Sequence, residues 1–291
     1  MLLKTMHCLL FIFLISGCGL NHNQLVKTKS FGTATEDLGK ISEQEFLNIR
    51  NGIIEINKTL LLIDSSKKSN SLVLDKPTYA SDTAKRIAAS KSLKLYGELL
   101  NQLANEKRTD NLQSAAAKLL ESSSTALDKE LPEETKNALN TLIVNLGSMW
   151  VEKKKADAAK EIINAYQASV TKLADLLYED FSLDQQSQGY LKAYERTAVR
   201  LKNASMKLLD EENQHSISER EHVIHAYTLA ETAINRAKEL STKAQQSAMQ
   251  LKTANAELVN VINNPQYSSD DIKNYAKQVQ EFVNLYQVLS R

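Results

Sequence analysis

The most regular pattern in the chain runs through its last third. Val223, Ala226, Ala230, Ala233, Ala237, Leu240, Ala244, Ser247, Leu251, Ala254, Leu258 and Val261 step by alternate threes and fours. This spacing keeps one face of a helix on a partner and is the seam of a coiled coil. Half of the seam is alanine, so a facing backbone has to come close, while each alanine buries little apolar surface. Ile224, Tyr227 and Ile234 flank the seam at one end, and Met249, Val259 and Ile262 at the other. Between Lys238 and Gln246 the flanks are polar, which predicts a half-exposed helix there.

The same rule extends backwards. Leu191, Tyr194, Ala198, Leu201, Ser205 and Leu208 form a shorter stripe over about Gln188–Glu212. Leu139, Leu142, Leu146 and Met149, then Ile163, Tyr166, Val170, Leu173 and Leu177, predict one unbroken helix from Pro132 to about Phe181. Pro132 suits a first helical position, and Glu133 and Glu134 suit the positive end of the dipole. Leu38, Ile41, Phe46, Ile49, Ile53, Ile56, Leu60 and Ile63 predict a helix near Glu36–Ile63. Two more are expected from Ser81 or Asp82 to about Lys107, and from about Asp110 to Lys129. Ser216, with Glu219 three residues on, reads as a capping box opening the seam helix. Asn263-Asn264-Pro265 closes that helix, and Ser269 or Asp270 opens a last one to Leu289. Ser65–Ser81 is expected as a polar loop with a short strand at Leu72–Leu74. Gly19–Ala34, polar and without period, reads as a flexible tether. The expected fold is therefore all-α: an elongated antiparallel helical bundle over residues 35–291, with long coiled-coil-like helices.

Composition agrees with long helices. The chain has 8 Gly and 3 Pro, and aromatic residues make up only 6%, which predicts a thin core. Charge excludes a class of partners. Residues 1–17 contain one charged side chain, Lys4, and without it 35 basic groups face 35 acidic ones. A neutral chain has no long-range field to recruit nucleic acid.

The first residues carry a different signal. Lys4 precedes the apolar run Cys8–Ile15, too short for a permanent transmembrane helix, which needs roughly 20 apolar residues. Ile15-Ser16-Gly17-Cys18 follows, two small residues before a cysteine. This segment resembles the lipobox of bacterial lipoproteins, with Ile15 where Leu is commoner. The resemblance covers residues 1–18 only. It implies a signal peptide at 1–17, diacylglyceryl transfer to the Cys18 thiol, and a mature chain beginning at Cys18. It also implies a cell-envelope location facing periplasm or surface. In a Gram-negative cell, Gly19 in second place implies the outer membrane. Cys8 leaves with the signal, so no second thiol remains for a disulfide.

Two side-chain groups are candidates for chemistry. Glu219, His222 and His225 follow one another at three-residue spacing, and Glu219-Arg220-Glu221-His222 matches the Glu-x-x-His element of di-iron bundles. A dinuclear site needs a second such element, and the sequence has none. The seam residue there is Val223, which leaves both histidines off centre, so an exposed helix start is the expected reading and no metal or other cofactor is expected. Lys192, Arg196 and Arg200, with Lys207 beyond, form a basic stripe suited to pairing with a neighbouring helix, to lipid phosphate or to an acidic polymer. Lys153–Lys155 sit among Glu152, Asp157 and Glu161 and read as a solvated face. Leu139–Val151, the most apolar stretch after residue 18, carries Asn140, Thr141, Asn145 and Ser148, which makes it a poor membrane segment and a candidate for burial in the bundle. Nucleophile elbows, phosphate loops, HExxH and Cys/His metal spacings do not occur in the sequence. The pattern as a whole leads to the expectation of a non-enzymatic, lipid-anchored binding, scaffold or adaptor protein. Its partners would be the membrane, through the lipid, and an envelope protein or polymer. The alternatives are a metal-binding or enzymatic bundle using Glu219, His222 and His225, or a membrane-perturbing helical protein.

Overall fold

The computed structural model describes residues 19–63, 73–105, 112–127, 131–145, 152–210 and 216–290. Residues 1–18, on which the lipobox resemblance rests, lie outside this set, as do Leu72, Leu146, Met149 and His215. The described residues form eight helices and no strand: α1 His22–Ile63, α2 Ala80–Leu103, α3 Leu112–Ala126, α4 Glu133–Asn145, α5 Glu152–Asp180, α6 Tyr190–Asp210, α7 Ile217–Asn263 and α8 Asp271–Leu289. The protein is an all-α helical bundle. None of these helices is long and apolar enough to cross a membrane.

Two long helices, α1 with 42 residues and α7 with 47, run antiparallel through the molecule. At 1.5 Å per residue they extend about 63 and 70 Å. Gln24 of α1 meets Val261 and Ile262 of α7, and Glu45 meets Arg236, which sets their direction. All twelve seam residues of α7 are buried. Their partners lie in the same chain, because α7 packs against α1, α5, α6 and α8. A second row at seven-residue spacing, Ile234, Ser241, Ala248, Asn255 and Ile262, is also buried. It is fixed on α5 and the residue that follows it: Ser241 Oγ donates to Phe181 O (2.8 Å) and Asn255 Nδ2 to Gln167 O (2.9 Å).

The two ends of the bundle differ. Beyond Glu45, α1 runs beside α6, where Gly52 meets Tyr194, and α6 pairs with the first half of α7 through Lys202 and Glu231, so the three helices form an arm. Before residue 46 it is enclosed by α2, α7 and α8, with α3, α4 and α5 completing a thicker body. Aromatic side chains are few but concentrated. Phe31, Tyr96, Tyr166 and Tyr275 cluster in the body, and Phe46, Phe181, Tyr190 and Phe282 at the joint with the arm. Glu45, fully buried beside this joint, receives both its oxygens' hydrogen bonds from Arg236 Nη2 (2.8 and 3.0 Å). Burial holds the Glu45 carboxyl above its ordinary range against the pull of that guanidinium.

Four expectations need correction. Residues 22–34 are not a flexible tether but the first turns of α1, with Gln24, Thr28, Phe31, Gly32 and Ala34 buried. The helix starts there because Asn21 Oδ1 accepts from Gln24 N (2.8 Å) while Gln24 Oε1 accepts from Asn21 N (3.0 Å), a capping box. Pro132–Phe181 is not one helix. Thr135 Oγ1 donates to Ala165 O at 2.6 Å, whereas a continuous helix would hold them about 45 Å apart, so α4 folds back on α5. Val73 and Leu74 make a turn rather than a strand, closed by Lys76 N donating to Val73 O (3.2 Å). Lys155 is not solvated: its side chain is buried and Nζ donates to Asn105 O (3.2 Å), just past the C-terminus of α2, where a cation is favoured.

Candidate binding cleft

The basic stripe of α6 splits into three different environments. Lys192 is mostly buried and pairs with Glu195 at 2.6 Å, so its charge is neutralised within its own helix. Arg196 donates from Nη2 to Gln185 O (3.0 Å) and Ser187 O (3.2 Å), which ties the 181–189 connection to the first turns of α6. Arg200, one turn on, is exposed and has no hydrogen-bond or ion-pair partner among the described residues. Lys207 is exposed further along the arm.

Arg196 and Arg200 line a cleft of about 470 Å³ beside the joint, with Arg86, Asp82 and Thr78 on its other wall. Lys192 does not contribute to it. Arg86 was not singled out in the sequence. It is held by Asp180, whose Oδ1 accepts from Nε (2.9 Å) and Nη2 (2.7 Å), and its Nη1 donates to Asp82 O (3.1 Å). Its guanidinium lies 4.6 Å from the centre of the Tyr190 ring, a cation–π arrangement. The Tyr190 and Thr83 hydroxyls share a hydrogen bond that joins α2 to α6 behind the cleft. Burial raises the Asp180 carboxyl above its usual range, opposed by Arg86 and by the backbone N–H of Tyr190. Arg86 is thus a wall element with its charge largely answered by Asp180. Arg196 keeps donors to spare, and Arg200 keeps all of its own. Asp82 supplies a negative charge at the edge. The arrangement suits a small anionic group, carboxylate or phosphate, taken by planar guanidinium donors.

The histidine group does not assemble. Glu219 Oε2 accepts from Ser216 N (2.7 Å) and Ser216 Oγ (2.8 Å) in the capping box of α7. His222 and His225 are exposed on either side of buried Val223. Among the described residues no three His, Cys, Asp or Glu side chains converge on a metal-sized site. No family model, curated protein or solved structure matches this chain.

Proposed function

We propose that this protein is a lipid-anchored, non-enzymatic binding module of a bacterial cell envelope, and that the Arg196/Arg200 cleft contacts an anionic group of an envelope protein or polymer. The observation that carries the reading is Ile15-Ser16-Gly17-Cys18, followed by a mature chain with no other thiol. Lipid attachment through two or more acyl chains gives stable anchoring, at about 0.8 kcal/mol per buried CH₂. The cleft supports binding over catalysis because arginines bind anions without exchanging protons near neutral pH.

Metabolic labelling with palmitate tests the anchor. Wild-type protein is expected to take up label and Cys18→Ala to take up none; equal labelling of both would remove the anchor from the reading. Affinity capture from the native envelope tests the cleft. Arg200→Glu leaves every described contact in place and is expected to lose the captured partner several-fold relative to wild type. Equal capture would move the binding surface elsewhere.

A further inference from the structure

We propose that the end of the bundle formed by the start of α1 and the α7–α8 turn rests on the lipid surface, and that the three-helix arm points away from it. This rests on the acylation of Cys18 proposed above. What the structure adds is the position of the chain at the point where that residue joins it.

The start of α1 is fastened to the C-terminal end of α7 and to the α7–α8 turn by four separate side chains. Asn21 Nδ2 donates to Pro265 O (2.8 Å) and Asn23 Nδ2 to Tyr267 O (3.0 Å). Gln24 Nε2, buried, donates to Val261 O (3.1 Å) and Ile262 O (3.0 Å), which satisfies carbonyls left open at the end of α7. Lys27 Nζ donates to Ser269 O (2.5 Å). Before these, Leu20 is half-buried against the core, and Gly19 and Leu20 line a small cavity with Leu103 and Ala104 at the end of α2.

Cys18 is the neighbour of Gly19, and consecutive Cα atoms lie about 3.8 Å apart. Only three peptide links separate Cys18 from Asn21, a reach of about 11 Å at full extension. A lipid on Cys18 therefore has no length of free chain with which to hold the body at a distance. Among the described residues exposed at this end, Asn21, His22, Asn263, Asn264, Gln266 and Ser268 are polar, with Asp270 beside them. That surface fits a headgroup layer reached through acyl chains rather than one held by its own electrostatics. α7 starts at the opposite end of the molecule, so Ser218 lies about 68 Å along the helix from Asn263. The Arg196/Arg200 cleft, at the joint, stands clear of the headgroups and is open to a partner in the aqueous space.

Single cysteines at Ser268 or Ser218, both exposed and without hydrogen-bond partners among the described residues, place a donor dye at either end. The acylated Cys18 offers no competing thiol. Full-length lipidated protein is reconstituted into phosphatidylethanolamine–phosphatidylglycerol vesicles carrying a headgroup acceptor dye. Energy transfer is expected to be several-fold greater from position 268 than from 218. Equal transfer from vesicle-bound protein, or greater transfer from 218, would overturn the orientation while leaving the anchor intact. Protein that fails to stay with vesicles, or a Cys18→Ser variant that stays equally well, would instead remove the acylation reading and this proposal with it. A long Gly/Ser segment inserted between Leu20 and Asn21 keeps the lipid but lengthens the connection, and is expected to bring the two efficiencies together. A difference that survives this insertion would overturn the role given to the docked N-terminus.

Discussion

The two halves of α1 solve the same packing problem with opposite residues. From Phe46 to Leu60 the helix buries one apolar stripe, Phe46, Ile49, Ile53, Ile56 and Leu60, against α6 and α7. From Gln24 to Glu45 it is surrounded by α2, α7 and α8, and its buried set mixes Thr28, Gly32, Thr35, Gly39, Ser42 and Glu45 with Phe31, Leu38 and Ile41. The first half gains its contacts by close backbone approach, the second by side-chain volume. A Cβ built on Gly39 would lie 2.4 Å from Lys94 N, and one on Gly97 would lie 2.4 Å from both Glu36 N and Gly32 O. Small residues on both helices let α1 and α2 approach to near backbone contact. A helix enclosed on most sides need not be uniformly apolar: Thr35 accepts from Tyr275 and Glu45 from Arg236, while the Thr28 and Ser42 hydroxyls are buried with no hydrogen-bond partner among the described residues.

The sharpest way to break this contrast is one methyl group. Gly97→Ala adds it where the neighbours are backbone atoms that cannot turn aside, so α1 and α2 must separate. The expected loss is about 1–3 kcal/mol, the range for overpacked sites. In the arm, stability depends on volume, and there the damage comes from removing a methylene. Ile53 is fully buried, and Ile53→Val is expected to lose about 0.5–1.5 kcal/mol. Urea unfolding monitored by circular dichroism measures both. A Gly97→Ala protein as stable as wild type would show that the α1–α2 approach is looser than its geometry.

This contrast also explains what the sequence disclosed. A period made of Leu, Ile and Ala is readable, so the α7 seam is buried at all twelve positions and the arm half of α1 follows its stripe. The Ser216–Glu219 capping box forms as its spacing predicts, and Pro132 and Pro265 lie just outside helix ends. A period made of Thr, Gly and Ser is not readable by hydrophobicity, and residues 22–34 of α1 are expected as a tether for that reason. Its start was signalled only by Asn21-x-x-Gln24, an unusual capping pair. The α4–α5 fold-back was hidden because apolar spacing continues on both sides of residues 146–151, where Gly147 was the one hint of a break. The cleft was half legible. The α6 stripe pointed to Arg196 and Arg200, but the fates of Lys192 and Arg196 depend on groups brought near by folding. Arg86 and Asp180 are 94 residues apart, and no local pattern relates them.

The smallest expected effect tests whether the docked start of α1 is part of the body or merely lies on it. Gln24 is 2% exposed and works in two directions: its oxygen closes the cap of α1, and its amide nitrogen closes the end of α7. Gln24→Ala removes both, but the α7 carbonyls lie near an exposed end and can take water instead. The global loss is therefore expected to be about 1 kcal/mol, the net value of a hydrogen bond or cap in a folded protein. Gln246→Ala, exposed on the polar flank of α7, is the control and should stay within about 0.5 kcal/mol. The local effect should be larger in kind. Opening free energies vary along a chain, and ends held by few contacts open first. Hydrogen exchange at the amides of residues 25–31 is expected to quicken markedly in Gln24→Ala, while exchange in the α7 seam around Ala237 stays unchanged. That outcome would make the first turns of α1 a separately opening segment fastened by its cap. If protection at residues 25–31 fell no further than at Ala237, the segment would be opening only with the whole bundle. Its hold would then reside in Phe31 and the small-residue contacts with α2, and Gln24 would contribute nothing beyond its share of the global loss.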